Sequence, residues 1–489
     1  MSLTFTDIFC GAGGSSIGLT AAGLQLRLAA NHWQRAIETH SANFRDAEHL
    51  CADVNNYDMR RLPSTDVLWA SPICTEASPA GGRPSRTCTV PGQGDLLEAF
   101  GPISRKGFER TRATFWDVIR ATEVHRYRVV LVENVPDVAR WELFDHWVAG
   151  MLLLGYRVQY VSVSSAHIGD QRNLHAPQWR DRLYLVFTRT GIELPDVDPH
   201  PVAWCQTCSV DVHAVQAWKK PDRRRIGKYR QQYVYVCPNA VCRNSVVEPY
   251  VLPAAAAIDW SDLGRRIGDR AEPLADNTMT RIRAGLSMFA DRHVLLTVNH
   301  AGHDGRAHPA DAAPLPAQTK RIGNGIISPP MLVPAGGTWN NTASAVTAPM
   351  RTRTAREAEA LLTPEPFIAV LRKHGTAHSI DQPLRTIAAG GHHHALVVPY
   401  RRGNKPTTTG DPLRTMSTRD SGALVQPAVA VEDCRFRMLK PREQLRAQRF
   451  PDTYQVLGNV GEQTMQAGNA VSANVAQWLG QQVTTALDQ

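Results

Sequence analysis

Strand-like and helix-like segments alternate over residues 3 to about 188, and that alternation leaves few folds open. "LTFTDIF" leads into "CGAGGSSIGLTAAGL", and "LRLAAN" precedes "HWQRAIETHSANF". "DVLWAS" and "VVLVENV" follow with the helical pattern "ATFWDVIRATEVH" between them, and "DRLYLVFT" reads as a further strand. Strands separated by helices predict an α/β fold built on a mostly parallel, doubly wound sheet. At 489 residues there is length for two or three domains, and the texture does change after this block.

From about 195 to 433 helical periodicity fades, Pro, Gly, Thr and His become frequent, and short apolar runs such as "HALVVPY" are bounded by turn residues. A loose repeat ("PLADNTMTRI", "PLPAQTKRI", "APMRTRT", "PLRTIAAGG", "PLRTMSTRD") suggests related strand–turn units in one β-rich region, with coincidental Pro-Leu turns as the competing reading. Helical patterns return in the last segment. The expected organisation is therefore 1–194, a β-rich insertion over 195–433, and 434–489 returning to complete the first domain.

In "DIFCGAGGSSIGL" the glycines Gly11, Gly13 and Gly14 stand directly after the first strand, where a ligand can approach the backbone. Nicotinamide, flavin and S-adenosylmethionine sites share that signal, and so does a turn with no ligand. The second strand ends in Asn31 and His32 where a dinucleotide fingerprint calls for a ribose carboxylate. The third candidate strand ends in Asp53 ("CADV"), suited to accept from an adenine amino group. Cys74 heads a loop just past the strand "DVLWA", and Glu133 ends the strand of "VLVENV". A thiolate and a carboxylic acid at strand ends suit conjugate addition to an electron-poor ring: sulfur attacks carbon while the acid donates to a ring nitrogen. Arg180 and Arg182, spaced by two in "QWRDR", fall on one side of a strand.

The ordered blocks "DIFCGAGGSSIGL", "SPIC", "ENV", "QWRDR", "RMLKPREQLRAQRFPDTY" and "GNAV" resemble the DNA cytosine-5 methyltransferase family over about residues 3–188 and 434–489. The resemblance implies a Rossmann-like, class I methyltransferase sheet, with the middle of the chain as a target-recognition insertion. It implies that Cys74 is the nucleophile at C6 of cytosine, that Glu133 contacts N3 and the exocyclic amine, and that Asn134 buttresses the nucleophile loop. Arg182 would contact the base carbonyl and that loop, with Arg180 supporting the pocket. Phe9, Gly11, Ala12, Gly14, Trp33 and Asp53, with Asn469 and Val471 from the C-terminal segment, would form the S-adenosylmethionine pocket. The chain departs from the family's Pro-Cys-Gln in carrying Ile73-Cys74-Thr75, places His32 where the ribose carboxylate usually stands, and inserts "QRNLHA" before "PQWRDR". A catalytically silent DNA-binding protein and an RNA cytosine-5 methyltransferase are the alternative readings.

Inside the insertion, Cys205-x2-Cys208 and Cys237-x4-Cys242 form two short-spaced thiol pairs, a pattern that fits one closed structural zinc site near 202–245; free or disulfide-linked thiols are the alternative. Between the pairs runs "WKKPDRRRIGKYRQQY", expected to face phosphates. Lys+Arg 54 against Asp+Glu 45 gives a net charge of +9, which favours a polyanionic partner, here double-stranded DNA. With 43% hydrophobic residues and no apolar run of membrane-spanning length, no membrane association is expected. The nine cysteines without a regular framework and the N-terminus without an export signal favour a reduced, cytoplasmic protein. A monomer is expected.

Overall fold

The computed structural model describes residues 2–72, 105–257 (side chains from 113, except 254 and 255) and 440–489, parts of 259–279, residue 432, and the backbone of short strands between 294 and 438. Cys74 and the loop around it, and most of the Pro-Leu repeat, lie outside the described residues.

The central sheet has seven strands: β1 (Thr4–Ile8), β2 (Gln25–Asn31), β3 (Glu48–Cys51), β4 (Val67–Ala70), β5 (Val129–Asn134), β6 (Tyr156–Ser164) and β8 (Asp181–Arg189), with the two-residue β7 (Gln178–Trp179) set apart. Their spatial order is β3-β2-β1-β4-β5-β8-β6. Pairs among β1 to β5 are parallel, whereas β8 runs antiparallel to both β5 and β6. The fold is thus mixed α/β with a mostly parallel sheet, as the alternation predicts. Strand order reverses between β1 and β4, and the carboxyl ends of strands at such a switch point are where ligands bind in open α/β sheets.

Burial on both faces explains why the inner strands read as continuous apolar runs. Along β4, Val67 and Trp69 enter one core, Leu68 and Ala70 the other; along β5, Val129 and Leu131 part from Val130 and Val132 in the same way. The first core is roofed by α1 (Gly14–Ala21) and the C-terminal helix α7 (Ala473–Leu487), through Leu19, Val475, Leu479 and Val483. Helices α3 (Arg105–His125) and α4 (Phe144–Leu153) cover the opposite face, where Trp147 donates its indole N–H to the carbonyl of Phe115 at 2.7 Å. Between β2 and β3 lies α2 (Gln34–Asn43). Small residues set the distance between α1 and α7. A methyl on Gly18 would meet the carbonyl of Ala473 at 2.5 Å, and one on Gly480 would meet Ala22 at 2.7 Å.

The insertion begins with a small module of two sheets. β9 (Val202–Cys205) pairs with β10 (Val210–His213), and β11 (Val215–Trp218), β12 (Tyr233–Val236) and β13 (Val246–Val247) form the second. Further along, Arg265–Arg266, Cys434–Met438, Glu359–Pro364, Met331–Pro334 and Gly325–Ile326 make a five-stranded sheet in that order. The short helices α5 (Pro441–Arg446) and α6 (Val460–Asn469) then lead back to the first domain. No helix among the described residues is long and apolar enough to cross a membrane.

Candidate active site

Because β3, β2 and β1 are parallel neighbours, the residues that leave their carboxyl ends share one edge of the sheet. These are Asp53 after β3, Trp33 after β2, and Phe9 and Gly11 after β1. All four are partly exposed. Phe9 at φ 64, Gly11 at φ 53 and Gly13 at φ 92 turn the chain through left-handed conformations, an uncommon one for phenylalanine. A methyl on Gly11 would touch only the carbonyl of Asn469, at 3.9 Å, so this glycine leaves open backbone. Gly14 is different: a methyl there would stand 2.0 Å from the carbonyl of Val471. Its missing side chain admits the C-terminal segment.

Ala12 is buried and accepts from the Tyr454 hydroxyl at 2.6 Å, while Val471 sends its side chain into the core and Asn469 stays exposed. Trp33 caps α2, its amide donating to Asn31 Oδ1 at 2.9 Å. Asp53 caps the short helix that follows it, accepting from the Asn55 amide at 3.2 Å and from the Asn55 side chain at 3.0 Å.

Beneath this turn lies a polar chain that spacing did not announce. Asp7 is fully buried and accepts from Ser15 Oγ at 2.6 Å and Ser16 Oγ at 2.7 Å. Ser16 Oγ lies 3.1 Å from His40 Nε2, and His40 Nδ1 lies 2.9 Å from His49 Nε2. Burial raises the Asp7 carboxyl to about 7 against the two serine hydrogen bonds, and depresses His40 to about 3.

At the next strands along, β4 ends at Ala70 and its exit is held by Asn134, whose side chain donates to the carbonyl of Pro72 at 3.0 Å. Cys74 follows two residues later and lies outside the described residues. Glu133 is buried at the end of β5, where Arg182 Nε meets its Oε1 at 2.9 Å. Arg182 also donates to the carbonyl of Asp181 at 2.9 Å. Arg180 is buried deeper. It donates to the carbonyl of Ala470 at 2.6 Å, which ties the chain just before β8 to the C-terminal segment, and its Nε and Nη1 have no partner among the described residues. Burial first, and then Arg182, lower its pKa to about 9. Glu133 and Arg182 thus meet across the ends of β5 and β8, while Arg180, just before β8, turns to the C-terminal segment. What the arrangement offers is a carboxyl group fixed in orientation by a guanidinium, at the strand ends beside the switch point, suited to bind a planar, hydrogen-bonding ring.

The four module cysteines also converge. Their sulfurs all lie within 4.8 Å of one another, with Cys208 and Cys237 at 3.9 Å. Sulfur ligands at about 2.3 Å around a tetrahedral ion stand about 3.8 Å apart, so the set fits zinc. Asn239 Nδ2 reaches Cys208 Sγ at 3.6 Å, and Ser245 Oγ lies 3.5 Å from Cys205 Sγ. Donors aimed at sulfur favour thiolates over thiols.

The basic run between the two cysteine pairs departs from the sequence expectation. Arg224 faces Asp145, Arg225 faces Asp198 at 3.5 Å, Lys228 faces Asp137 at 2.6 Å and Arg230 faces Glu248 at 2.8 Å. Lys220 and Arg223 are exposed and have no ion-pair partner among the described residues. A count of cations in sequence cannot reveal which carboxylates will fold against them.

With this geometry in view, the likeness to known proteins is direct. The profile of the family described as C-5 cytosine-specific DNA methylase matches residues 3–203 and 355–485. The chain belongs to that family. Among curated relatives, the Type II methyltransferase M.NlaX of Neisseria lactamica is 28% identical over 205 residues, covering 40% of this chain and 55% of the relative. M.HhaI of Haemophilus parahaemolyticus, also a Type II methyltransferase, is 25% identical over 197 residues, covering 39% and 51%. The chain spans about half the length of these relatives. A solved structure of the Entamoeba histolytica methyltransferase EhMeth aligns over the whole of both chains at 10% identity, with a TM-score of 0.46.

Proposed function

We propose that this protein methylates C5 of cytosine in double-stranded DNA, with the base turned out of the duplex and S-adenosylmethionine as methyl donor, in a cytoplasmic restriction-modification setting. The observation that carries this reading is the buried Glu133–Arg182 pair at the end of β5, beside the β4 exit that leads to Cys74. Phe9, Gly11, Trp33 and Asp53 would hold the donor. Two aromatic surfaces, an open stretch of backbone and a partly exposed carboxylate suit a cationic adenosyl ligand. When bound, that ligand supplies an electrophilic methyl group on a positively charged sulfur.

Cys74 supplies the nucleophile: its sulfur bonds to C6, and the electron pair released into the ring makes C5 nucleophilic. Glu133 presents its carboxyl to N3 and offsets the charge that develops there. Arg182 fixes the carboxyl's orientation, and Arg180, just before β8, anchors the entrance of that strand to the 468–470 segment. Once C5 carries the methyl group, loss of its proton and departure of Cys74 restore the aromatic ring. Cys205, Cys208, Cys237 and Cys242 would hold one structural zinc ion; with all four positions filled by sulfur it would take no part in the chemistry.

Fluorine in place of the C5 hydrogen blocks the last step, so duplex DNA bearing 5-fluorocytosine at the target should trap a denaturation-resistant adduct. An adduct that persists in Cys74→Ser, or that forms on RNA and not on DNA, would overturn the reading.

A further inference from the structure

We infer that the cysteine module braces the catalytic pair: zinc held by its four thiolates orders β12, and Tyr229 and Lys228 carry that order to Asp181 and Asp137, the neighbours of Arg182 and Glu133. The inference rests on the zinc site and the methyltransferase reading above, and adds a positioning role for residues of the insertion.

Side chains alternate along a strand, so Tyr233 and Tyr235 of β12 point to the same face, and Cys237 just beyond continues their register. All three are fully buried. Tyr233 and Tyr235 pack on Tyr229, with ring centres 5.9 and 5.7 Å apart. Tyr229 in turn stacks on Trp179 at 5.7 Å and 28°, and meets the buried His167 edge-on at 4.4 Å. Trp179 immediately precedes Arg180. A continuous packed path therefore runs from Cys237 to Trp179 of β7, the residue before Arg180 at the entrance to β8.

Polar contacts fasten the same loop at three elements of the catalytic domain. The Tyr229 amide donates to Asp181 Oδ1 at 3.1 Å, between the two arginines in sequence. Lys228 Nζ meets Asp137 Oδ2 at 2.6 Å, in the turn that leaves β5 just after Glu133 and Asn134. Ser162 of β6 accepts from the Gly227 amide and donates to the Arg225 carbonyl, both at 3.1 Å, while its own carbonyl accepts from Gln216 at 2.8 Å. Ser162 stands directly opposite Leu183 of β8.

Two sheets of two and three short strands are close to the smallest that hold together, so a metal crosslink adds to their order. Zinc binding can supply the missing folding free energy.

The full-length protein should contain one zinc per chain, and Cys237→Ser should lose it. Hydrogen exchange on the metal-loaded and chelator-treated proteins then reads the coupling. Removing zinc should speed amide exchange at 131–137 and 179–183 as well as within 202–248; a change confined to 202–248 overturns the brace. That readout needs no methyl transfer, so it stands or falls separately from cytosine methylation. Absence of stoichiometric zinc also overturns the inference, while leaving the trapping experiment untouched.

Lys228→Met keeps all four thiols and tests the path without removing metal. It should lower kcat about tenfold, the effect of about 1.4 kcal/mol lost in the transition state, with KM for DNA little changed. Lys228→Arg should restore most of the rate. An unaltered kcat, or a loss expressed only in KM for DNA, would make Lys228 a DNA-facing residue and overturn its positioning role.

Discussion

Glu133 and Arg182 meet across antiparallel β5 and β8 at 2.9 Å, with both side chains largely withdrawn from water. Glu133 pairs in register with Tyr184, so Arg182, two residues before it, leans diagonally onto the carboxyl. A pair this closely coupled acts as a unit. Glu133→Gln should slow turnover by about 10²–10⁴, the usual effect of losing a positioned acid. Adding Arg182→Met to that variant should cost much less than the same change in the native protein. Steady-state kinetics on all three variants checks this, and strictly additive losses would separate the two residues.

Gly14 admits no side chain. Its β position lies 2.0 Å from the Val471 carbonyl oxygen and 2.9 Å from the carbonyl carbon, both backbone atoms that cannot rotate away. Gly14→Ala must push α1 off the C-terminal segment, and overpacking of this kind costs about 1–3 kcal/mol. Gly461→Ala serves as the comparison, since a methyl there meets only Asn459 Oδ1, at 3.3 Å. Chemical denaturation should show a large loss for the first and less than about 1 kcal/mol for the second. Calorimetry should show S-adenosylhomocysteine affinity falling with Gly14→Ala alone.

Tyr454 joins the same two parts of the chain by one buried hydrogen bond, to the carbonyl of Ala12 at 2.6 Å. Its ring packs edge-on against Phe450 at 5.2 Å and Phe44 at 6.3 Å, contacts that phenylalanine would keep. Tyr454→Phe therefore removes the donor and little else. Leaving the Ala12 carbonyl unsatisfied should cost about 1–3 kcal/mol in denaturant unfolding. No measurable loss would mean that the hydroxyl does not hold the turn.

Much of this architecture is legible in the sequence because it follows short periods. Apolar runs the length of a strand, glycines at the end of the first, and arginines two apart all fix their neighbours locally. Asp181 shows where that legibility stops. It sits between Arg180 and Arg182, yet its own partner is the amide of Tyr229, supplied by a fold of the insertion. The Asp7, Ser16, His40 and His49 chain escaped for the same reason: its members come from β1, α1, α2 and β3, and no spacing links them. Asp53 was identifiable as a carboxylate at a strand end, but not as the cap of the turn that follows it. The basic run reads as a nucleic-acid face until Asp137, Asp145, Asp198 and Glu248 are seen folded against it.

The buried Asp7 carboxyl makes stability depend on pH in a direction that can be worked out. Burial raises its pKa from 3.8 to about 7. Below pH 3.8 the folded and unfolded chains both carry the proton. Between about 4 and 7 the unfolded chain releases it while the folded one keeps it, so unfolding becomes progressively easier as pH rises. Across that window the loss amounts to about 4 kcal/mol, at about 1.4 kcal/mol per pH unit. His40 acts in the opposite sense: burial lowers its pKa from 6.5 to about 3, so its contribution is lost as pH falls through that range. The raw stability curve of the native protein mixes the two, along with Asp181, which burial raises to about 6. Comparison with Asp7→Asn isolates one group, because the amide keeps an acceptor for Ser15 and Ser16 and cannot ionise, while the other groups largely cancel. The stability of Asp7→Asn relative to the native protein should therefore climb from pH 4 to pH 7 and level off above about 8. Denaturant unfolding across that range measures it. A difference that stays flat from pH 4.5 to 7.5 would show that Asp7 is ionised throughout, with its serine hydrogen bonds outweighing burial.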